Sequence, residues 1–168
     1  MPVLAAASDQ PARVAETRVG VYDSRQVAFA LFWRPAHQAW LKEQTARAKA
    51  AKAAGDQATH DRISRQLRED QTRLHLEVFS TAPVADPEGW LAARLADVAR
   101  TAGVARVVSK WDEATLGAVP EAARVDVTDL ILRDCGMDAA KRGMLRDIGR
   151  SQPLPLAEAR RLDAAGQL

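Results

Sequence analysis

From residue 36 to residue 79 the chain has no proline and one glycine, Gly55, and strong helix formers fill most other positions. Asp56 follows that glycine directly. A glycine that can close one helix, next to an aspartate that can open another, is the chemistry of a turn between two helices. The spacing therefore predicts helices over 36–54 and 57–79, folded back on each other as an antiparallel, coiled-coil-like hairpin. At 1.5 Å per residue, arms of this size are about 28–35 Å long. Their large apolar residues are few: Trp40 and Leu41 on the first arm, then Ile63, Leu67 and Leu74 on the second. Ala46, Ala50, Ala53 and Ala54 are expected to complete the seam. So thin a stripe packs two helices together but cannot hide them in a core, and the hairpin is expected to protrude.

Composition supports a helical chain with a modest core. Hydrophobic residues make up 47% of the sequence, but 34 of them are alanine, which favours helix without adding much buried area. No apolar run reaches the roughly 18 residues a membrane-spanning helix needs, so no membrane insertion is expected. The net charge of +2 hides an asymmetry: residues 34–79 carry nine Lys/Arg against six Asp/Glu. Lys42, Arg47, Lys49, Lys52, Arg62 and Arg65 are expected to form a basic face on the hairpin. Such a face biases encounters with acidic partners, with a reach of about 8 Å at physiological salt.

Around the hairpin the periodicity changes. Residues 18–22 alternate as a β-strand, with Asp23 or Ser24 capping a helix whose Gln26 completes a capping box. Pro35 breaks that helix near residue 34. After the hairpin, Ser80-Thr81-Ala82-Pro83 reads as a loop, and Asp86-Pro87-Glu88 as a helix start with proline in the first position. Trp90, Leu91, Leu95 and Val98 form the apolar face of that helix, which ends at Gly103. Residues 104–108 read as a short strand and 123–127 as a short strand or extended segment, with Asp112 capping a helical turn between them. Asp126 or Thr128 opens a helix over 129–133, and Asp138 opens another carrying Met144, Leu145 and Ile148 on one side. Pro153 and Pro155 lead to a final helix, 156–165. The expected organisation is a disordered segment 1–17, an α/β body from 18–35 and 80–150, the hairpin 36–79 inserted in it, and a helical tail 151–168. Met1-Pro2-Val3-Leu4 before Ala5-Ala6-Ala7-Ser8 has the small residues of a signal-peptide cleavage site without an intact leader.

Val19-Gly20-Val21-Tyr22-Asp23, the hairpin, Ala105-Arg106-Val107-Val108 and Val125-Asp126-Val127-Thr128-Asp129 follow one another in an order that resembles the Skp/OmpH family of periplasmic chaperones. The resemblance covers roughly residues 18–134 and rests on that order, since each motif is short. It implies a strand-containing body with a helical hairpin, oligomerisation, unfolded or envelope polypeptides as partners, and a periplasmic or secreted location. Without it the same residues are equally compatible with the cytoplasm.

No strong catalytic motif is present. The sharpest ligand-site candidate comes from the strand ends. If the strands run parallel, their carboxyl ends gather Asp23, Ser24, Arg25, Lys110, Asp112, Asp126 and Thr128, where open sheets bind ligands. The competing reading makes Asp23, Ser24, Asp112 and Thr128 helix caps, with Arg25 and Lys110 pairing carboxylates at the surface. His37, His60 and His75 all fall on the hairpin without metal-pair spacing and are expected to be solvated. Cys135 is alone, which excludes an internal disulfide, and reads as a small buried apolar residue. Trp33 and Trp40 flank the Pro35 break and are expected to wedge the hairpin base. The tip has no aromatics for stacking bases and acids interleave its cations, so nucleic acid is not an expected partner.

The sequence thus points to an α+β, mostly helical protein: a small sheet with a protruding helical hairpin, no cofactor and no metal. The expected function is non-enzymatic, chaperone-like or scaffolding contact with other polypeptides. Lys42, Arg47, Lys49, Lys52, Arg62 and Arg65 would bind, and Trp40, Leu41, Ile63, Leu67 and Leu74 would pack the hairpin or a homo-oligomer. The alternative is a small enzyme or ligand-binding protein built on the strand-end residues.

Overall fold

The computed structural model describes residues 18–86 and 89–168. The chain is mostly helical with one small parallel sheet. In order, the elements are β1 (Val19–Tyr22), α1 (Ser24–Phe32), α2 (Pro35–Ala53), α3 (Gln57–Phe79), α4 (Trp90–Ala102), β2 (Arg106–Ser109) and α5 (Glu113–Leu116). A short 3₁₀ turn (Glu121–Ala123), β3 (Arg124–Asp126), α6 (Thr128–Asp134), α7 (Ala139–Arg150) and α8 (Leu156–Ala164) complete the fold. The expected disordered segment and signal-peptide remnant at 1–17, like Pro87 in the first position of a helix, lie outside the described residues.

The chain divides into two compact units. The first takes residues up to Asp23 together with Asp86–Ile131; the second takes Ser24–Ala85 and Leu132–Leu168.

In the first unit β1 is the central strand, with β2 and β3 on either side, both parallel to it. Gly20 pairs with Val107 and Val125 across the two ladders. A Cβ at residue 20 would lie 3.0 Å from a Val107 methyl and 3.2–3.3 Å from methyls of Val104 and Val127, so glycine is what lets this valine layer close. α4 packs on β2 through its Leu91–Val98 side. That helix begins at Trp90 among the described residues. Gly89 stands before it with φ 67°, a conformation that suits a residue without Cβ. The Asp86 carboxylate still does the capping, accepting the backbone N–H groups of Trp90, Leu91 and Ala92 from a distance.

In the second unit α2 packs along α3, and α3 also carries α1 and α8, while α1 meets α7. The chain turns from α2 to α3 through Ala54, Gly55 (φ 73°) and Asp56, whose side chain accepts the Thr59 N–H at 3.0 Å. The α2 seam differs from the alanines expected. Gln44, Ala48 and Ala51 are the buried residues of α2, whereas Ala46, Ala50, Ala53 and Ala54 are exposed. Gln44, Ala48 and Ala51 are spaced i, i+4 and i+7 and so share one face of α2, while Ile63 on α3 is fully buried. Trp40, Leu41, Leu67 and Leu74 are half-buried. On α7, Leu145 is buried but Met144 is 60% exposed, which corrects its placement on the packed side. Cys135 is buried, as its sequence context suggested. A lone bridge pairs Ser80 with Leu154, tying the end of α3 to the segment before α8.

Candidate functional site

Three parallel strands end at one edge of the first unit, and the polar residues that follow them bond to one another. The Lys110 ammonium pairs with the Asp23 carboxylate. The backbone N–H of Asp23 donates to Thr128 Oγ at 3.0 Å, and that of Lys110 to the Tyr22 carbonyl at 2.9 Å. Asp23 is 2% exposed and the Lys110 side chain 30%, so one charge is withdrawn from water and the other is partly wet. The Lys110 ammonium also lies 4.6 Å from the centre of the Trp111 ring, a cation–π distance. Burial, with the Asp112 and Asp86 charges, raises the Tyr22 pKa above its ordinary value.

The remaining strand-end candidates have structural partners. Asp112 caps α5 by accepting the Thr115 N–H at 3.0 Å, and its hydrogen bonds to Thr115 hold its pKa below the usual carboxylate value. Asp126 accepts the Thr128 N–H at 2.8 Å, so Asp126 supplies the side-chain acceptor at the start of α6 while the Thr128 hydroxyl serves Asp23. Ser24 and Arg25 belong to the second unit and make their recorded bonds there. Ser24 Oγ donates to the Ala82 carbonyl at 3.3 Å. Arg25 is not the surface cation expected: it is 1% exposed. Its guanidinium donates to the Ser151 carbonyl at 2.9 Å and to the Gly149 carbonyl at 3.3 Å, satisfying acceptors that the end of α7 would otherwise leave bare.

The hairpin of α2 and α3 has two electrostatically different parts. Near its base, Asp70, Arg73 and Glu77 form a chain of ion pairs along α3. Glu77 is 3% exposed; it accepts from Arg73 at 3.2 Å and from the Ala85 backbone N–H at 3.0 Å. Burial raises the Glu77 pKa even though Arg73 and the Ala85 N–H pull it back. Burial lowers the Arg73 pKa, but its bonds to Asp70 and Glu77 outweigh that and leave it raised. His37, from the first turn of α2, faces Asp70 with Nε2 and Oδ2 3.3 Å apart. It is not solvated, since its ring sits between Phe32 and Trp40 with centroids 5.2 and 5.5 Å away. His60 lies beside Asp61, and His75 packs edge-on to Phe79. Trp33 stacks edge-to-face on Phe29 within α1 and its end. The base network was the constellation the sequence reading missed. Its signal was the spacing of Asp70, Arg73 and Glu77 on one face of a helix that also carries Leu67 and Leu74.

Away from the base, residues 42–68 hold seven Lys/Arg and three Asp/Glu. Lys42, Arg47, Lys49, Lys52, Arg62 and Arg65 are all exposed. Among the described residues no group of three His, Cys, Asp or Glu side chains comes together as a metal site, and no helix is long and apolar enough to cross a membrane. Comparison with known proteins finds no matching family model, no matching curated protein and no matching solved structure.

Proposed function

We propose that this protein is a non-enzymatic, chaperone-like or scaffolding protein that holds other polypeptides through the basic hairpin of α2 and α3. The observation that carries the reading is the segregation of charge along the hairpin. Asp70 and Glu77 at the base are engaged by Arg73, whereas the seven Lys/Arg of residues 42–68 are exposed, with Arg47 3.8 Å from Glu43. A solvated cationic surface with alanine between its charges suits acidic, extended chains, which it binds weakly and at many points. In this reading the arms are antiparallel and coiled-coil-like and project from the rest of the chain. Homo-oligomerisation through half-buried Trp40, Leu41, Leu67 and Leu74, with Ile63 locking each hairpin, would supply avidity. The Skp/OmpH resemblance favours unfolded envelope polypeptides and the periplasm. The test is suppression of client aggregation by the full chain and by a variant with Lys42, Lys49, Lys52 and Arg62 all changed to Gln. Loss of suppression with an unchanged far-UV spectrum supports the proposal; equal suppression rejects it.

A second reading is favoured by the parallel strands, which place Asp23, Lys110 and Thr128 at the edge where open sheets take ligands. It makes the protein a small-ligand binder or enzyme. A small molecule that raises the melting temperature of the protein but not of the Lys110→Met variant would support it.

A further inference from the structure

We propose that the back of α3 is a peptide-docking track, which takes an extended acidic segment by its carboxylates and a large apolar side chain of the same segment by Phe79. α3 carries two stripes that repeat at alternating spacings of three and four residues. One passes through Ile63 and Glu77, both buried. The other is Arg65, Arg68, Thr72, His75 and Phe79, turned roughly 150° away at about 100° per residue. Arg65, Arg68 and Phe79 are exposed, and Thr72 and His75 half-buried. One end of this stripe is cationic. Among the described residues neither Arg65 nor Arg68 makes an ion pair, although Asp61 and Glu69 lie one turn either side of Arg65, whereas Arg73 is engaged by Asp70 and Glu77. The other end is aromatic. Phe79 is 49% exposed, and its ring meets that of His75 edge-on with centroids 6.0 Å apart, a contact that orients it for an incoming side chain.

The distance between the two ends sets what fits. Phe79 stands about 17 Å along the helix from Arg68 and about 21 Å from Arg65, at 1.5 Å per residue. An extended chain covers that span in about five to six residues at roughly 3.3 Å each. The matching segment therefore carries neighbouring Asp or Glu residues about five residues from a Leu, Phe or Trp. A second copy of this chain suits the stripe less well. Stable dimers bury roughly 800 Å² per partner, and one half-exposed ring offers only part of the about 150–250 Å² an aromatic side chain can bury. So small an apolar patch beside two unpaired guanidinium groups matches a short acidic peptide held weakly. Resting on the hairpin's role as a holder of polypeptides, the track adds which segment is held and at which residues.

Three labelled Gly/Ser peptides of about 12 residues, titrated with the full chain and read by anisotropy, test the track. The first carries adjacent glutamates about five residues from a tryptophan; the second has serine for the tryptophan, and the third glutamine for the glutamates. The full chain is expected to bind the first at least about tenfold more tightly than either of the others. Phe79→Ser should shrink the preference for the first over the second to less than about threefold, and Arg65→Gln with Arg68→Gln should do the same for the first over the third. Equal affinity for the first and second peptides, or a Phe79→Ser variant that still tells them apart, overturns the track while the acid binding of the hairpin stands. No binding of any peptide also overturns it, and the longer acidic polypeptide with Lys42, Lys49, Lys52 and Arg62 changed then judges the hairpin itself. Should Phe79→Ser fail to fold, the exposed arginine pair decides: lost discrimination between the first and third peptides supports the track, and retained discrimination overturns it. If Phe79→Ser instead turns an oligomer into a monomer in light scattering without changing peptide affinity, a second copy occupies the stripe and the proposal falls.

Discussion

The ammonium of Lys110 rests on the carboxylate of Asp23, 87 residues earlier in the chain. β1 ends at Tyr22 and its neighbour β2 at Ser109, and the parallel register that pairs Tyr22 with Ser109 brings the next residue of each strand together. Asp23 is almost fully buried, so removing its partner strands a charge in low dielectric. Lys110→Ala is expected to lower the unfolding free energy by about 2–3 kcal/mol, below the fully buried range because the lysine is partly solvated. The double variant Asp23→Ala with Lys110→Ala should cost less than the sum of the singles. Urea titrations of the three variants measure both quantities, and additive losses would show that the pair is not coupled.

Ile63 is the one large aliphatic residue of the hairpin that is fully buried, and the buried residues of the α2 arm that packs along α3 include only the small Ala48 and Ala51 beside Gln44. Ile63→Ala should therefore cost about 2–5 kcal/mol, because α2 offers little that can fill the gap. Ala46→Ser and Ala50→Ser, on exposed positions of α2, should stay within about 0.5 kcal/mol. Thermal unfolding of the three variants separates this seam from the one the alanine pattern suggested.

The turn at 54–56 offers a test of backbone and charge together. Gly55 has φ 73° and no heavy atom within 4 Å of an added Cβ, so Gly55→Ala should cost about 1–2 kcal/mol through backbone strain alone. Gly143, inside α7 with φ outside the left-handed range, should respond in the opposite sense, with Ala stabilising by about 0.5–1 kcal/mol. Asp56 next to the turn has its pKa lowered, first by the backbone N–H of Thr59. A lowered carboxylate pKa gives stability that is present above the ordinary value of 3.8 and lost as pH falls through the folded value. Melting temperatures of Asp56→Ala and the unmutated chain should therefore converge in acid and differ at neutral pH.

Local signals told most where backbone chemistry dictates the outcome. Pro35 ends one helix and opens the next, Gly55-Asp56 turns the chain, and Asp112 and Asp138 cap the helices they precede. These devices act over a few residues and are written in the sequence at those residues. β1 and β2 were visible as short apolar runs and β3, with Val125 between two charged residues, less clearly; their parallel pairing follows from tertiary contact that no run displays alone. Burial was harder to read. Arg25 looked like a surface cation because nothing nearby in sequence says that the end of α7 presents carbonyls to it. Gln44 shares the buried face of α2 with Ala48 and Ala51, whereas the alanines expected there are exposed, since the helical phase is set by packing against the other arm. His37 looked solvated for the same reason, its partner Asp70 lying on the other helix. The division into units at residues 23/24, 85/86 and 131/132 has no compositional mark at all; the last falls inside α6.

The central claim, that the exposed cations of the hairpin bind polypeptide, is tested most directly by fluorescence anisotropy. A labelled, unfolded acidic polypeptide is titrated with the full chain and with the four-Gln variant of Lys42, Lys49, Lys52 and Arg62. The account predicts saturable binding that weakens as salt rises past about 0.15 M, and a loss of at least about tenfold in affinity for the variant. Equal affinity of the two proteins, at low and at high salt, would contradict it.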